Sequence, residues 1–273
     1  MRIRGMSENL AAQKNLARVG RESRSSVRRL SSGVQISQAA EGAADLGVSQ
    51  TMRADIRSMR VAQRNIQDGI SMLNVAESAL GEVTDKLTRM RELAVGSASE
   101  VMQADERIYN SNEYRDIIED IDRVTRSAEF NGLSVTPGSN EVVQIQIGIN
   151  EQGAQNRLKV RLYAAGSMAI GVGFTAVDTS LGAQKAIDLV DRAIDSVNTI
   201  RASHGAAQNQ LGSALQNLET WTENTVEAES RIRDTDMAME TANLTRQQVF
   251  GQAGIAMISQ ARSSAQSAFQ LLF

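Results

Sequence analysis

Apolar residues recur every seven positions in two long stretches of the chain, and this recurrence predicts most of the fold. In the first stretch Met59, Ile66, Leu73, Leu80, Leu87 and Ala94 share one register, with Ile56, Ala62, Ile70, Ala76, Val83 and Met90 widening the stripe. No proline interrupts residues 45–100, so the pattern predicts one very long helix with a coiled-coil-like seam. In the second stretch Val190, Val197, His204, Leu211, Leu218 and Ile232 share a register, and Thr225 fills the remaining slot. Ile187, Ile194, Ile200, Ala207, Leu215 and Trp221 broaden that face over a helix expected at 179–233. Two such helices, far apart in sequence, are natural partners in a bundle.

Between them the period changes. Asn110 followed by Glu113 reads as a capping box, and Ile117, Ile118, Ile121 and Val124 mark a shorter helix at about 104–129. From Val143 the period becomes two: Val143, Ile145, Ile147 and Ile149 alternate with polar residues, then Leu158, Val160 and Leu162 alternate again. This predicts a hairpin within a β region spanning 130–177. The only proline, in Thr136-Pro137-Gly138, suits a type II turn before it, and Asp178, Thr179 or Ser180 can cap the final long helix. The fold class expected is mainly α: an elongated bundle of long coiled-coil-like helices, a small β-hairpin region and a paired terminal-helix domain. Helix would cover roughly three quarters of the chain, against about one third in ordinary globular proteins.

The ends form a third helical pair. Residues 1–33 carry Ile3, Met6, Leu10, Leu16, Val27 and Leu30; residues 235–273 carry Met239, Val249, Phe250, Ile255, Met257, Ile258, Phe269 and Leu272. A lone helical pair of this size buries little apolar surface, so these ends are expected to gain order by packing against neighbours. The pattern predicts a polymer or an obligate complex, with 1–33 and 235–273 as one domain, 34–44 as a connecting loop and 45–234 as a rod.

Composition narrows the chemistry. The 273 residues include no Cys, one His and one Pro, which excludes disulfides, thiolate nucleophiles and multi-His metal sites. Residues 1–33 carry eight basic side chains against Glu8 and Glu22, a net of +6 in a chain of net −3. No aromatic residues interleave with these arginines to stack bases, so the stripe reads as solvated or partner-facing rather than as a nucleic-acid site. The longest charge-free apolar segment, between Arg161 and Asp178, is broken by three glycines and is too short to span a membrane. The basic start of the chain lacks the continuous apolar stretch of a secretory signal peptide.

Gly171-Val172-Gly173-Phe174-Thr175-Ala176 fits a dinucleotide fingerprint in spacing, but only helix follows it, so it reads as a glycine-rich connection. Asp116, Glu119, Asp120 and Asp122 read as a solvated face paired with Arg115 and Arg123. His204 sits on the seam and reads as structural. No residue set assembles an acid, a base and a nucleophile, so neither an enzyme nor a catalytic site, cofactor or metal is expected.

Several motifs together resemble bacterial flagellins: LSSG at Leu30 to Gly33, VQISQAAEGAADLGVS at Val34 to Ser49, and RNIQDGISMLNVAESAL at Arg64 to Leu80. RMRELAVGSAS at Arg89 to Ser99, DRVTRSAEFNG at Asp122 to Gly132 and SRIRDTDMAMETANLTRQQVF at Ser230 to Phe250 continue the resemblance. QAGIAMISQA at Gln252 to Ala261 completes it. Gly171 to Ile194 passes directly into the last long helix, so the chain resembles a minimal flagellin lacking the variable outer domains. The resemblance implies a structural subunit of the filament for swimming motility, exported by the flagellar secretion apparatus. The end helices would form an inner tube through Leu10, Leu16, Val27, Leu30, Phe250, Ile255, Met257, Ile258, Phe269 and Leu272. It further implies an export chaperone, a filament cap, hook–filament junction proteins and other flagellins as partners. A host innate immune receptor would contact Arg89, Leu93 and Glu113. The alternative is a hook–filament junction protein or another coiled-coil adaptor of related architecture.

Overall fold

A computed structural model describes residues 2–150 and 156–270, with the backbone alone for 2–9 and 265–270. Its helices are α1 (Arg2–Ser32), α2 (Ala43–Ala98), α3 (Ala104–Ser127), α4 (Ser180–Arg233) and α5 (Met237–Gln270). Two antiparallel pairs complete it: β1 (Glu129–Phe130) with β2 (Leu133–Ser134), and β3 (Glu141–Gln146) with β4 (Arg157–Leu162). The chain is 74% helical, and the two heptad stretches are α2 and α4. It divides into two compact units, residues 1–54 with 224–273, and residues 55–223, so the boundary falls inside α2 and α4.

In the unit 55–223 the heptad positions of both helices are buried, from Met59 to Ala94 on α2 and from Val190 to Leu218 on α4. Each buried leucine of that seam contributes about 1.5–3 kcal/mol through removal of apolar surface from water. The helices run antiparallel: Ser180 Oγ donates to the Ala98 carbonyl at one end, and Gln63 Nε2 donates to Thr222 Oγ1 at the other. Polar pairs along their flanks hold the register, Arg91 with Asp191 at 2.6 Å and Arg201 with Glu77 at 2.7 Å. A third layer changes identity along the seam. Beside Leu80 to Ala94 it is α3, through Tyr114, Ile117 and Ile121, with Ala165, Ile170, Val172 and Val177 of the following loop. Beside Met59 to Ala79 it is the β3–β4 hairpin, through Ile145, Val160 and Leu162. Gly69 permits that second contact, because a Cβ there would stand 2.4 Å from Ile145 Cδ1.

Three local expectations are corrected. The capping box of α3 lies seven residues, about two turns, earlier: the Glu106 carboxylate accepts the backbone N–H of Gln103 at 3.2 Å. Asn110 lies within α3 and donates to Ser97 Oγ of α2 at 3.1 Å. Thr136-Pro137-Gly138 is not a type II turn, since Gly138 lacks the positive φ that turn requires. Thr136 is pinned back on α3 instead, its hydroxyl donating to the Thr125 carbonyl at 2.6 Å. Trp221 stands on the exposed side of α4, off the buried seam.

Candidate assembly surface

The unit 1–54 with 224–273 starts from a helix stop. Gly33 takes φ +69°, a left-handed conformation that costs glycine little, and its N–H returns to the Arg29 carbonyl at 2.8 Å, ending α1. The chain then pairs with the strand-like link before α5. Gln35 N–H donates to the Arg233 carbonyl at 2.7 Å and Thr235 N–H to the Gly33 carbonyl at 2.9 Å, around a Val34–Asp234 bridge. Asp236 caps α5, its carboxylate accepting the N–H groups of Ala238 and Met239.

The loop before α2 is organised by Glu41, which accepts the Ser37 N–H at 2.9 Å, the Ser37 hydroxyl at 3.1 Å and the Gln38 N–H. These hydrogen bonds, that of the Ser37 backbone foremost, hold its carboxyl below the ordinary value. Arg29 stands between Glu41, at 3.9 Å, and the buried Glu240 of α5, at 4.0 Å, and so links α1, the loop and α5. Sequence reasoning missed this hub. The signal available was Glu240, the one acidic residue within Met237–Gln270.

α1 and α5 approach through small residues. Gly251 faces Val19, and a Cβ at Gly254 would lie 3.4 Å from Leu16 Cδ1. That contact covers only part of the apolar surface. Leu16, Leu30 and Ile258 are half-buried, whereas Leu10, Val27, Phe250, Ile255 and Met257 are exposed, Phe250 at 58% and Met257 at 71%. Val48, Met237, Met239 and Val249 are exposed too. The side chain of Phe269 and all of Leu272 lie outside the described residues. An apolar helix left open on this scale is the composition of an interface awaiting a partner.

The second candidate set lies on the other unit. Arg89 of α2 bonds Glu113 of α3 at 2.7 Å and Glu92 at 2.9 Å, and these carboxylates, Glu113 first, favour its charged form. Leu93 is not beside them on the surface. It is 6% exposed and belongs to the seam with Tyr114 and Ile117, because at this point α3 covers that edge of α2. Of the acidic face, Asp120 binds Lys86 of α2 at 2.7 Å and also Arg123, and the Lys86 bond foremost lowers its carboxyl from the ordinary range. Asp122 accepts the Ser167 N–H at 2.8 Å and anchors the loop after the hairpin. The Gly171–Ala176 segment is part of that loop, tied to α3 by the Tyr114 and Thr175 hydroxyls at 2.9 Å. None of the helices among the described residues is long and apolar enough to cross a membrane.

Residues 4–141 match the bacterial flagellin N-terminal helical region, and residues 187–272 match the bacterial flagellin C-terminal helical region. The chain belongs to the bacterial flagellins. A flagellin of Halalkalibacterium halodurans is 37% identical over 263 residues, which cover 96% of each chain. The flagellar filament 33 kDa core protein of Treponema phagedenis is 36% identical, again over 96% of each, and a flagellin of Bacillus subtilis is 33% identical over 98% and 99%. The crystal structure of Bacillus cereus flagellin superposes with a TM-score of 0.50 at 28% identity, covering 57% of this chain and 88% of that one. As a flagellin the chain is a structural subunit that assembles into the flagellar filament and serves motility.

Proposed function

We propose that polymerisation is carried by the terminal helices, residues 1–33 and 235–273, as the inner part of the filament. Residues 34–44 serve as connection and 45–234 as the outer rod. The observation that supports this reading is the contrast in burial: the rod seam is closed within one chain, while Leu10, Val27, Phe250, Ile255 and Met257 are left open. The subunit works without catalysis, is delivered by the flagellar secretion apparatus with an export chaperone, and joins a growing end beneath the filament cap above the hook–filament junction. The test is electron microscopy of chains carrying Phe250→Asp or lacking 235–273. Both are expected to stay helical by circular dichroism and to form no filaments; normal filaments from either would refute the assignment.

Contact with a host innate immune receptor is proposed at Arg89 and Glu113, whose paired charges bridge α2 and α3 at half-exposed positions. Leu93, one turn after Arg89 on α2, is buried in the seam with Tyr114 and Ile117. Arg89→Ala is expected to lower receptor activation by full-length monomer while leaving thermal melting nearly unchanged, since exposed ion pairs contribute little stability. Unchanged activation would remove the site.

A further inference from the structure

The single histidine of the chain is buried in the one place where a hairpin, rather than a helix, closes the rod. His204 is 1% exposed, and neither ring nitrogen makes a hydrogen bond of ordinary geometry among the described residues, the Arg161 backbone being the polar group that acts on the ring. Its ring lies 6.2 Å from that of Tyr163, the residue after β4, and the Tyr163 hydroxyl reaches Ser203 Oγ at 3.4 Å. The hairpin end and α4 therefore meet across the imidazole.

We propose that this contact is an acid-sensitive latch, in which a proton taken up by His204 loosens the β3–β4 hairpin from α4.

The charged and titratable groups around the ring come from each packed element. α2 supplies Glu77, which is occupied by Arg201 of α4 at 2.7 Å. The hairpin end supplies Tyr163 and Arg161, whose guanidinium lies 6.0 Å over the Tyr163 ring. Lys159 and the uncharged Val142 of β3 line a surface cleft of about 280 Å³ on the outer side of Tyr163 and Ser203, and His204 is not part of that lining. Glu77 and the Arg161 backbone favour a charged ring, but burial outweighs both and holds its pKa below the ordinary 6.5. The sign follows. The folded state prefers neutral His204, so its stability is complete above pH 6.5 and is lost as pH falls from there toward the folded value. One proton taken up on opening shifts the opening equilibrium by up to about tenfold per pH unit in that window.

The test uses full-length monomer with isotope-labelled histidine, whose imidazole signals are unambiguous because there is one histidine. The ring is expected to titrate below 6.5. Hydrogen-exchange protection at Val143, Ile145 and Val160 is expected to fall by up to about fivefold between pH 6.5 and 5.5, relative to Leu87 and Ile121. His204→Leu and His204→Gln should abolish that difference; if the glutamine variant fails to fold, the leucine variant, which keeps the site apolar, decides. A ring that titrates at or above 6.5, or an equal loss of protection in the folded variants, would overturn the latch.

Discussion

At the scale of the residue, two glycines of the same helix have opposite meanings. Glycine inside a helix costs about 0.5–1 kcal/mol relative to alanine, because the backbone gives up more freedom. At Gly81 nothing stands within 4 Å of a would-be Cβ, so nothing opposes that gain. Gly81→Ala is expected to stabilise the monomer by about 0.5–1 kcal/mol in urea titration. At Gly69 the same atom would meet Ile145 Cδ1 at 2.4 Å and Leu211 Cδ1 at 3.5 Å, where α2, α4 and the hairpin converge. Gly69→Val makes the Ile145 side chain change rotamer or the hairpin shift, and is expected to cost about 1–3 kcal/mol. If both substitutions moved stability in the same direction, the packing at Gly69 would be misassigned. Neither outcome is legible in the sequence, where both glycines are isolated interruptions of a heptad stripe.

At the scale of the element, α2, α4 and the hairpin were legible because each buries one face, and a buried face imposes its period on the sequence. Met59 to Ala94 and Val190 to Leu218 follow this rule, as do Ile145, Val160 and Leu162. What failed was local chemistry that depends on tertiary neighbours. Asn110 looks like a cap because asparagine suits that role, but its amide is taken by Ser97 of another helix. Pro137-Gly138 looks like a turn, but Thr136 is drawn onto α3 and the backbone never enters the left-handed region. Leu93 shares a helical face with Arg89 by spacing, yet α3 covers one and leaves the other half open. Spacing reports the face; which face is covered depends on the neighbouring element. The exposed apolar side chains of the terminal helices were legible for the converse reason: those stretches contain more apolar residues than two paired helices can hide.

At the scale of the whole molecule, the two units should differ in stability within one chain. The unit 55–223 has two buried core clusters along Met59 to Ala94 of α2, one closed by α3 and the loop after the hairpin and one by the hairpin, with α4 contributing to both. In the other unit, α1 and α5 share a contact at Leu16, Val19, Gly251 and Gly254, and leave Val27, Val249, Phe250 and Met257 open to water. Helices gain most of their stability from tertiary packing of an apolar face, so a pair with half of that packing missing is marginal until copies supply it. Hydrogen exchange of the free monomer is therefore expected to show two classes of helical amide. Those around Leu16, Val27, Phe250 and Ile255 should exchange fastest, and those around Leu73, Leu80, Leu211 and Leu218 slowest; each 1.4 kcal/mol of difference in opening free energy gives about tenfold in rate. On polymerisation the first class should slow toward the second, while the second changes little. Uniform protection in the monomer would mean that α1 and α5 are already stable without neighbours, and the open apolar faces would then need another explanation than assembly.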